Sequence, residues 1–294
     1  MPTSKAKKIS KKLEENTAYI QEKLGMDVSF DIVLRRFKIG GQDVGVFFVD
    51  GLVDGRTATL VFQNLLKSKK EDLLPHPLEK LMHEWLPYAE IETVDNLEEA
   101  ITQILCGPMV LFMEGATEAI VIDVREYPSR SPEEPDIEKI TRGSRDGFVE
   151  TMIFNIGLIR RRVRDPGLRV EPLKIGKRSV TDVSMVYIND IANPEIIDKV
   201  RQELKNIDID SLSMGEKSLE EFIVKRYWNP FPKVRYTERP DVCAAHIFEG
   251  HIAIVVDTSP SVMLAPVTYF HHIQHGEEYR SNPVLGVYIR WIRF

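Results

Sequence analysis

Apolar residues recur at helical spacing in four stretches: 10-SKKLEENTAYIQEKLG-25, 56-RTATLVFQNLLKS-68, 146-DGFVETMIFNIGLIRRRV-163 and 193-NPEIIDKVRQELKN-206. In the third the stripe runs Phe148, Met152, Ile156, Ile159 and Val163, one face of a 3.6-residue period. Between these stretches the pattern changes. The piece 37-FKIGGQDVGVFFVDG-51 reads as strand, glycine turn, strand, and 173-LKIGKRSVTDVSMVYIND-190 repeats it with a turn three residues longer. Further on, 95-DNLEEAITQILCGPMVLFMEGATEAIVID-123 aligns without a gap on 238-ERPDVCAAHIFEGHIAIVVDTSPSVMLAP-266. Each reads helix, glycine, strand, turn, strand, with Gly107 and Gly250 placed where a helix C-cap favours glycine.

Matched elements in the same order predict an α/β protein built of two similar mixed α/β subdomains related by internal duplication, each with sheet hairpins and packed helices. The Pro-rich, charged stretch 127-YPSRSPEEPDIE-138 is the natural junction. The expected division is 1–135 and 139–268 for the two subdomains, with 269–294 as a C-terminal helix and tail that the family resemblance described below makes membrane-proximal.

Composition narrows the function classes. With 39 Lys and Arg against 45 Asp and Glu, the net charge of −6 argues against a nucleic-acid binder, whose footprint is usually basic. Two cysteines, Cys106 and Cys243, make neither a disulfide framework nor a zinc ribbon and fit a reducing compartment. The opening MPTSKAKKISKKLEEN has no apolar run behind its charges and is no secretory signal, and no run approaches the length of a membrane span. The last residues, 286-GVYIRWIRF-294, alternate apolar and aromatic residues with arginine, as a globular terminus or an approach to a membrane segment would.

Three constellations carry candidate chemistry. The stretch 142–169 gathers Arg142, Arg145, Arg160, Arg161, Arg162 and Arg164. Asp146 is placed as the helix N-cap and the later arginines at the C-terminal end, where the macrodipole favours cations. The same residues suit ion pairs across a cleft or a subunit interface, and phosphate binding is disfavoured because the cations gather at the wrong end of the helix. In 235-RYTERPDV-242, Arg235, Glu238, Arg239 and Asp241 surround Pro240. Carboxylates beside arginines suit acid–base work, but without a nucleophile and base nearby, capping and ion pairing is the favoured reading. In 269-YFHHIQHGEEYR-280, His271 and His275 lie four apart with Glu278 three further on, a spacing that would hold zinc on a helix. His272 belongs to the same polar side while Tyr269, Phe270 and Ile273 form an apolar one, so an amphipathic linking helix is the stronger reading. Dinucleotide, P-loop, H-E-x-x-H and G-x-S-x-G signatures do not occur. Neither a catalytic residue nor a cofactor or metal is expected.

The segments 142-RGSRDGFVETMIFNIGLIRRRVRDPGLR-169, 181-TDVSMVYINDIANPEI-196, 229-NPFPKVRYTERPD-241 and 249-EGHIAIVVDTSPSVMLAPVTYF-270 resemble the N-terminal domain of the GerA family of spore germination proteins, A-subunit type. The stretch after the last hairpin resembles the family branch called stage V sporulation protein AF. The resemblance implies a non-enzymatic domain on the cytoplasmic side of the inner spore membrane, joined after Phe294 to transmembrane helices. It also implies assembly as a homo-oligomeric channel that releases ions during germination, with other spore membrane germination proteins as partners and no nucleic acid. On that basis the arginine helix and the ERPD segment become subunit or subdomain contacts. His271, His272, His275, Glu278, Arg290, Trp291 and Arg293 become the coupling segment toward the membrane. A two-lobed domain that senses a small molecule and regulates the membrane part is the competing expectation.

Overall fold

The computed structural model describes residues 7–69, 71, 77–86, 90–127, 146–212, 216–223 and 234–266. The chain divides into two compact units, Met1–Pro128 with Arg164–Gly167, and Ser129–Val163 with Leu168–Phe294. Of the expected junction at 127–138, residues 128–138 lie outside the described residues. The short return of Arg164–Gly167 to the first unit was not foreseen.

In the first unit, α1 (Leu13–Leu24) leads into the hairpin β1 (Ile32–Ile39) and β2 (Gln42–Val49), followed by α2 (Gly55–Lys67). A short helix α3 (Pro77–Lys80) runs into a π-helical turn, Leu81–Trp85, before β3 (Glu90–Val94), α4 (Leu97–Cys106) and the hairpin β4 (Met109–Met113) and β5 (Ala119–Asp123). The second unit repeats the plan. It runs α5 (Met152–Arg162), β6 (Leu168–Ile175), β7 (Thr181–Ile188), α6 (Pro194–Lys205), α7 (Glu216–Ile223), β8 (Arg235–Thr237), α8 (Pro240–Phe248), β9 (Ile252–Val256) and β10 (Val262–Ala265). Each unit holds a five-stranded antiparallel sheet, in the orders β1-β2-β4-β5-β3 and β6-β7-β9-β10-β8. Identical strand order in the two sheets gives the duplication a structural form.

Strand periodicity explains the layers, because alternate side chains point to opposite faces. In the first unit Phe47, Val49, Val110 and Phe112 pack against α1 and α4. Their neighbours Val44, Val46, Met109 and Leu111 pack against α2 and the π-helical turn. In the second unit Val183, Met185 and Tyr187 join Ile197, Val200 and Leu204 of α6 and Leu219 of α7. On its other face α5 and α8 pack against each other and against β9 and β7.

The helix expected over 146–163 starts six residues later. Phe148 is buried as the stripe required, yet it lies in extended chain before α5, and Thr151 occupies the N-cap position in place of Asp146. The first-unit edge strand β3 was also not expected. Among the described residues no helix is long and apolar enough to cross a membrane.

Candidate functional site

The arginine helix α5 is fixed at its start by a buried amide. Asn155, fully buried, accepts from Val149 N–H at 2.8 Å through Oδ1 and donates through Nδ2 to the Val149 carbonyl at 2.5 Å. The helix N-terminus lies on the β9–β10 turn: Met152 N–H donates to Asp257 Oδ1 at 3.0 Å, and Thr258 N–H to the Glu150 carbonyl at 2.7 Å. The first unit builds the same clamp 139 positions earlier on the helix: Asn16 bonds both backbone groups of Ser10 at 2.8 and 2.6 Å. Leu13 N–H meets Glu114 at 2.7 Å, and Gly115 N–H meets the Lys11 carbonyl at 2.7 Å. Sequence reasoning missed both asparagines, although each sits six residues after the backbone it pins and three after a helix's first residue.

With the helix so placed, its arginines part ways. Arg160 is fully buried, and Arg162 is ion-paired with Asp146 and donates to the Leu158 carbonyl at 3.1 Å. Asp146 therefore serves the far end of the helix rather than its N-terminus. Arg161 is exposed. Arg164, exposed in the first unit, points Nη1 at the Cys106 thiol at 3.4 Å.

The ERPD segment forms the entry to α8. Pro240 takes the first helical position, which needs no N–H donor, and Arg239, 2% exposed, donates to Asp241 Oδ2 at 2.8 Å. Asp241 Oδ1 accepts from Val242 N–H at 2.9 Å, and the Glu238 carbonyl accepts from Phe148 N–H at 2.8 Å, tying this entry to the approach of α5. Arg235 and Glu238 are half-buried. The carboxylate of Asp241 is thus committed to a cation and an amide, an arrangement that holds a helix end.

Behind this entry, burial pushes the Cys243 thiol well up, so it is a packing group rather than a nucleophile. Burial likewise pushes His246 below its ordinary value of 6.5, with the nearby charges of Arg235 and His251 adding to the effect. Its Nδ1 lies 2.8 Å from the Val242 carbonyl, and its ring meets that of His251 edge to face at 5.2 Å. No cluster of three metal-ligating side chains forms among the described residues. Arg142, Arg145, His271, His272, His275, Glu278, Arg290, Trp291 and Arg293 lie outside the described residues.

Residues 18–294 match the family model described as Bacillus/Clostridium GerA spore germination protein. The chain belongs to the GerA family. Stage V sporulation protein AF of Bacillus subtilis (strain 168) is 46% identical over 298 residues, covering all of this chain and 60% of that protein. An uncharacterized membrane protein, YfkQ, of the same organism is 32% identical over 90% of this chain and 51% of its own length. Among solved structures, the N-terminal domain of the A subunit of the Bacillus megaterium spore germinant receptor GerK3 superposes with a TM-score of 0.71 at 30% identity. That match covers 90% of this chain and 99% of the solved one. The chain thus spans 51–60% of the length of these two Bacillus subtilis relatives, and the resemblance read from its arginine helix and hairpins identifies the right family.

Proposed function

We propose that this chain is the cytoplasmic N-terminal domain of a spore inner-membrane germination protein, and that it supports assembly and gating of an oligomeric ion channel. The observation that carries the reading is the match along the whole chain to a protein of which it spans only 60%, together with a solved receptor N-terminal domain of the same fold. The arrangement of the second unit supports it. Asp146, Asp241 and the clamp at Asn155 hold α5 and the entry of α8 together, and Arg161 lies exposed on that helix. Partners are expected to be further copies of the protein and other spore membrane germination proteins, and the role is not enzymatic. The segment from His271 to Arg293 is proposed as the link through which the domain acts on the membrane part. Replacing His271, His272 and His275 by glutamine tests that role, since conductance that kept its pH response would refute it.

Reconstitution of the membrane-anchored protein in planar bilayers tests the assembly reading. Arg161→Glu reverses one exposed charge on α5, so the expected result is impaired assembly with altered conductance. Unchanged assembly and unchanged conductance would show that this face of α5 meets no partner.

A further inference from the structure

The duplication supplies an internal control for every surface position, because each helix has a twin built on the same plan. The caps of α2 and α6 correspond, Asp54 accepting from Arg56 and Thr57 N–H and Asn193 from Glu195 N–H. The buried positions correspond as well: Ala58, Val61 and Leu65 of α2 match Ile197, Val200 and Leu204 of α6. The outward positions do not. Leu60 and Leu66 are each 58% exposed, whereas their counterparts in α6 are the exposed lysines Lys199 and Lys205. Nor do the charges agree, since α6 carries Glu195, Asp198 and Glu203 while α2 has no acidic residue and exposes Arg56 and Lys67. A fold that places lysine at these positions in one copy has no need of leucine in the other. On a helix Leu60, Gln63 and Leu66 form one i±3 ridge, the shape that seats against another protein surface.

The same unit holds the opposite charge at the opposite edge of its sheet. The segment 90-EIETVDNLEE-99, which is β3 and the start of α4, has five acidic residues and no basic one. Glu90, Glu92, Asp95 and Glu99 are exposed. Here too the second unit differs, with Arg235 of β8 in the place of Glu92. In the sheet order β3 is one edge and β1, against which α2 packs, is the other.

We propose that α2 of one copy docks through the Leu60–Gln63–Leu66 ridge, flanked by Arg56 and Lys67, on the acidic β3 edge of a second copy. The contact is head-to-tail. Packing α2 on α2 about a twofold axis would set Arg56 and Lys67 of both copies together, and like charges in a desolvated contact are costly. A heterologous contact of this kind closes into a ring or propagates, according to the rotation it imposes. The inference rests on the assembly role proposed above and names the surface that would serve it.

Sedimentation equilibrium of the 294-residue chain tests it. Wild type is expected to self-associate, and L60K/L66K, which copies the side chains of α6, to weaken association by at least about tenfold from the lost apolar burial. An unchanged circular dichroism spectrum will show that the fold is intact. E90K/E92K is expected to do the same from the other side. Mixing the two variants is the decisive arm: each lacks a different half of the contact, so they should form a 1:1 dimer and nothing larger. A wild-type chain that stays monomeric, association indifferent to both variants, or a mixture that fails to pair would each overturn this surface. None of these results bears on the conductance measurement, which tests the assembly role separately.

Discussion

Asn155→Ala removes the amide that joins the approach of α5 to the helix, and its cost follows from the bonds it breaks. Two hydrogen bonds from the fully buried Asn155 to the half-buried Val149, at 2.8 and 2.5 Å, disappear. Each is worth about 1 kcal/mol net, and stranding the Val149 N–H and carbonyl adds the desolvation cost of groups left unmade, so about 2–4 kcal/mol is expected in all. Asn16→Ala breaks the equivalent bonds to Ser10 at 2.8 and 2.6 Å. Ser10 is half-buried like Val149, but among the described residues Asn16 lacks the further bond that Asn155 Nδ2 donates to the buried Ser259 carbonyl at 3.4 Å, so a smaller loss, about 1–3 kcal/mol, is expected. Urea titration followed by circular dichroism measures both, and each substitution should lower the midpoint of the unit that contains it without changing the slope. If both variants unfold within about 0.5 kcal/mol of wild type, the typical effect of a neutral surface change, the clamp is not what holds these helices and the reasoning from the duplication fails.

Three further outcomes follow. Gly107→Ala and Gly250→Ala both force alanine into a left-handed backbone, at φ +109° and +89°, and each should cost about 1 kcal/mol. Gly250→Ala should cost more, because its methyl would lie 3.2 Å from the Ile191 carbonyl oxygen whereas at Gly107 the nearest atom belongs to the flexible Arg125 side chain; paired thermal melts measure the difference. Asp241→Asn removes the carboxylate beside Arg239, whose side chain is 3% exposed, and should destabilise by about 2–4 kcal/mol in urea, more than the same change at the better-hydrated Asp146. The folded chain holds His246 below 6.5, so the neutral ring is the one that folding favours. Its contribution is complete above 6.5 and lost as the pH falls from there through the folded value. Stability measured between pH 7 and 5 should therefore fall less steeply in His246→Gln, and identical slopes would remove histidine burial as the cause.

Much of the fold was legible because duplication converts weak local signals into matched pairs. The KIG hairpins and the glycine-capped helices of 95–123 and 238–266 are recognisable once aligned, and the structure keeps both, including the turn three residues longer in the second hairpin. Strand β3 was not legible, since only Val94 of EIETV is buried and an edge strand with one buried residue has no alternation to read. Asp146 misled for a related reason. An acid before an apolar stripe reads as a cap, but its partner Arg162 lies sixteen residues on, a distance that no local rule spans. The division of labour among the arginines was not legible: the sequence groups Arg160, Arg161 and Arg162, and only packing shows that Arg160 is buried, that Arg162 is ion-paired with Asp146 and that Arg161 is exposed. Asn16 and Asn155 were invisible because helical periodicity scores a polar residue on the inner face as noise, when here it marks the joint on which the helix is hung.

The claim on which the account turns is that this domain governs assembly and gating of the membrane part. The most direct measurement compares the membrane-anchored protein with a version that begins after Ala265, each reconstituted in nanodiscs for mass determination and in planar bilayers for conductance. The account predicts that loss of the domain leaves smaller assemblies and a conductance that is absent or no longer gated. Assemblies of the same mass with the same gated conductance would contradict it.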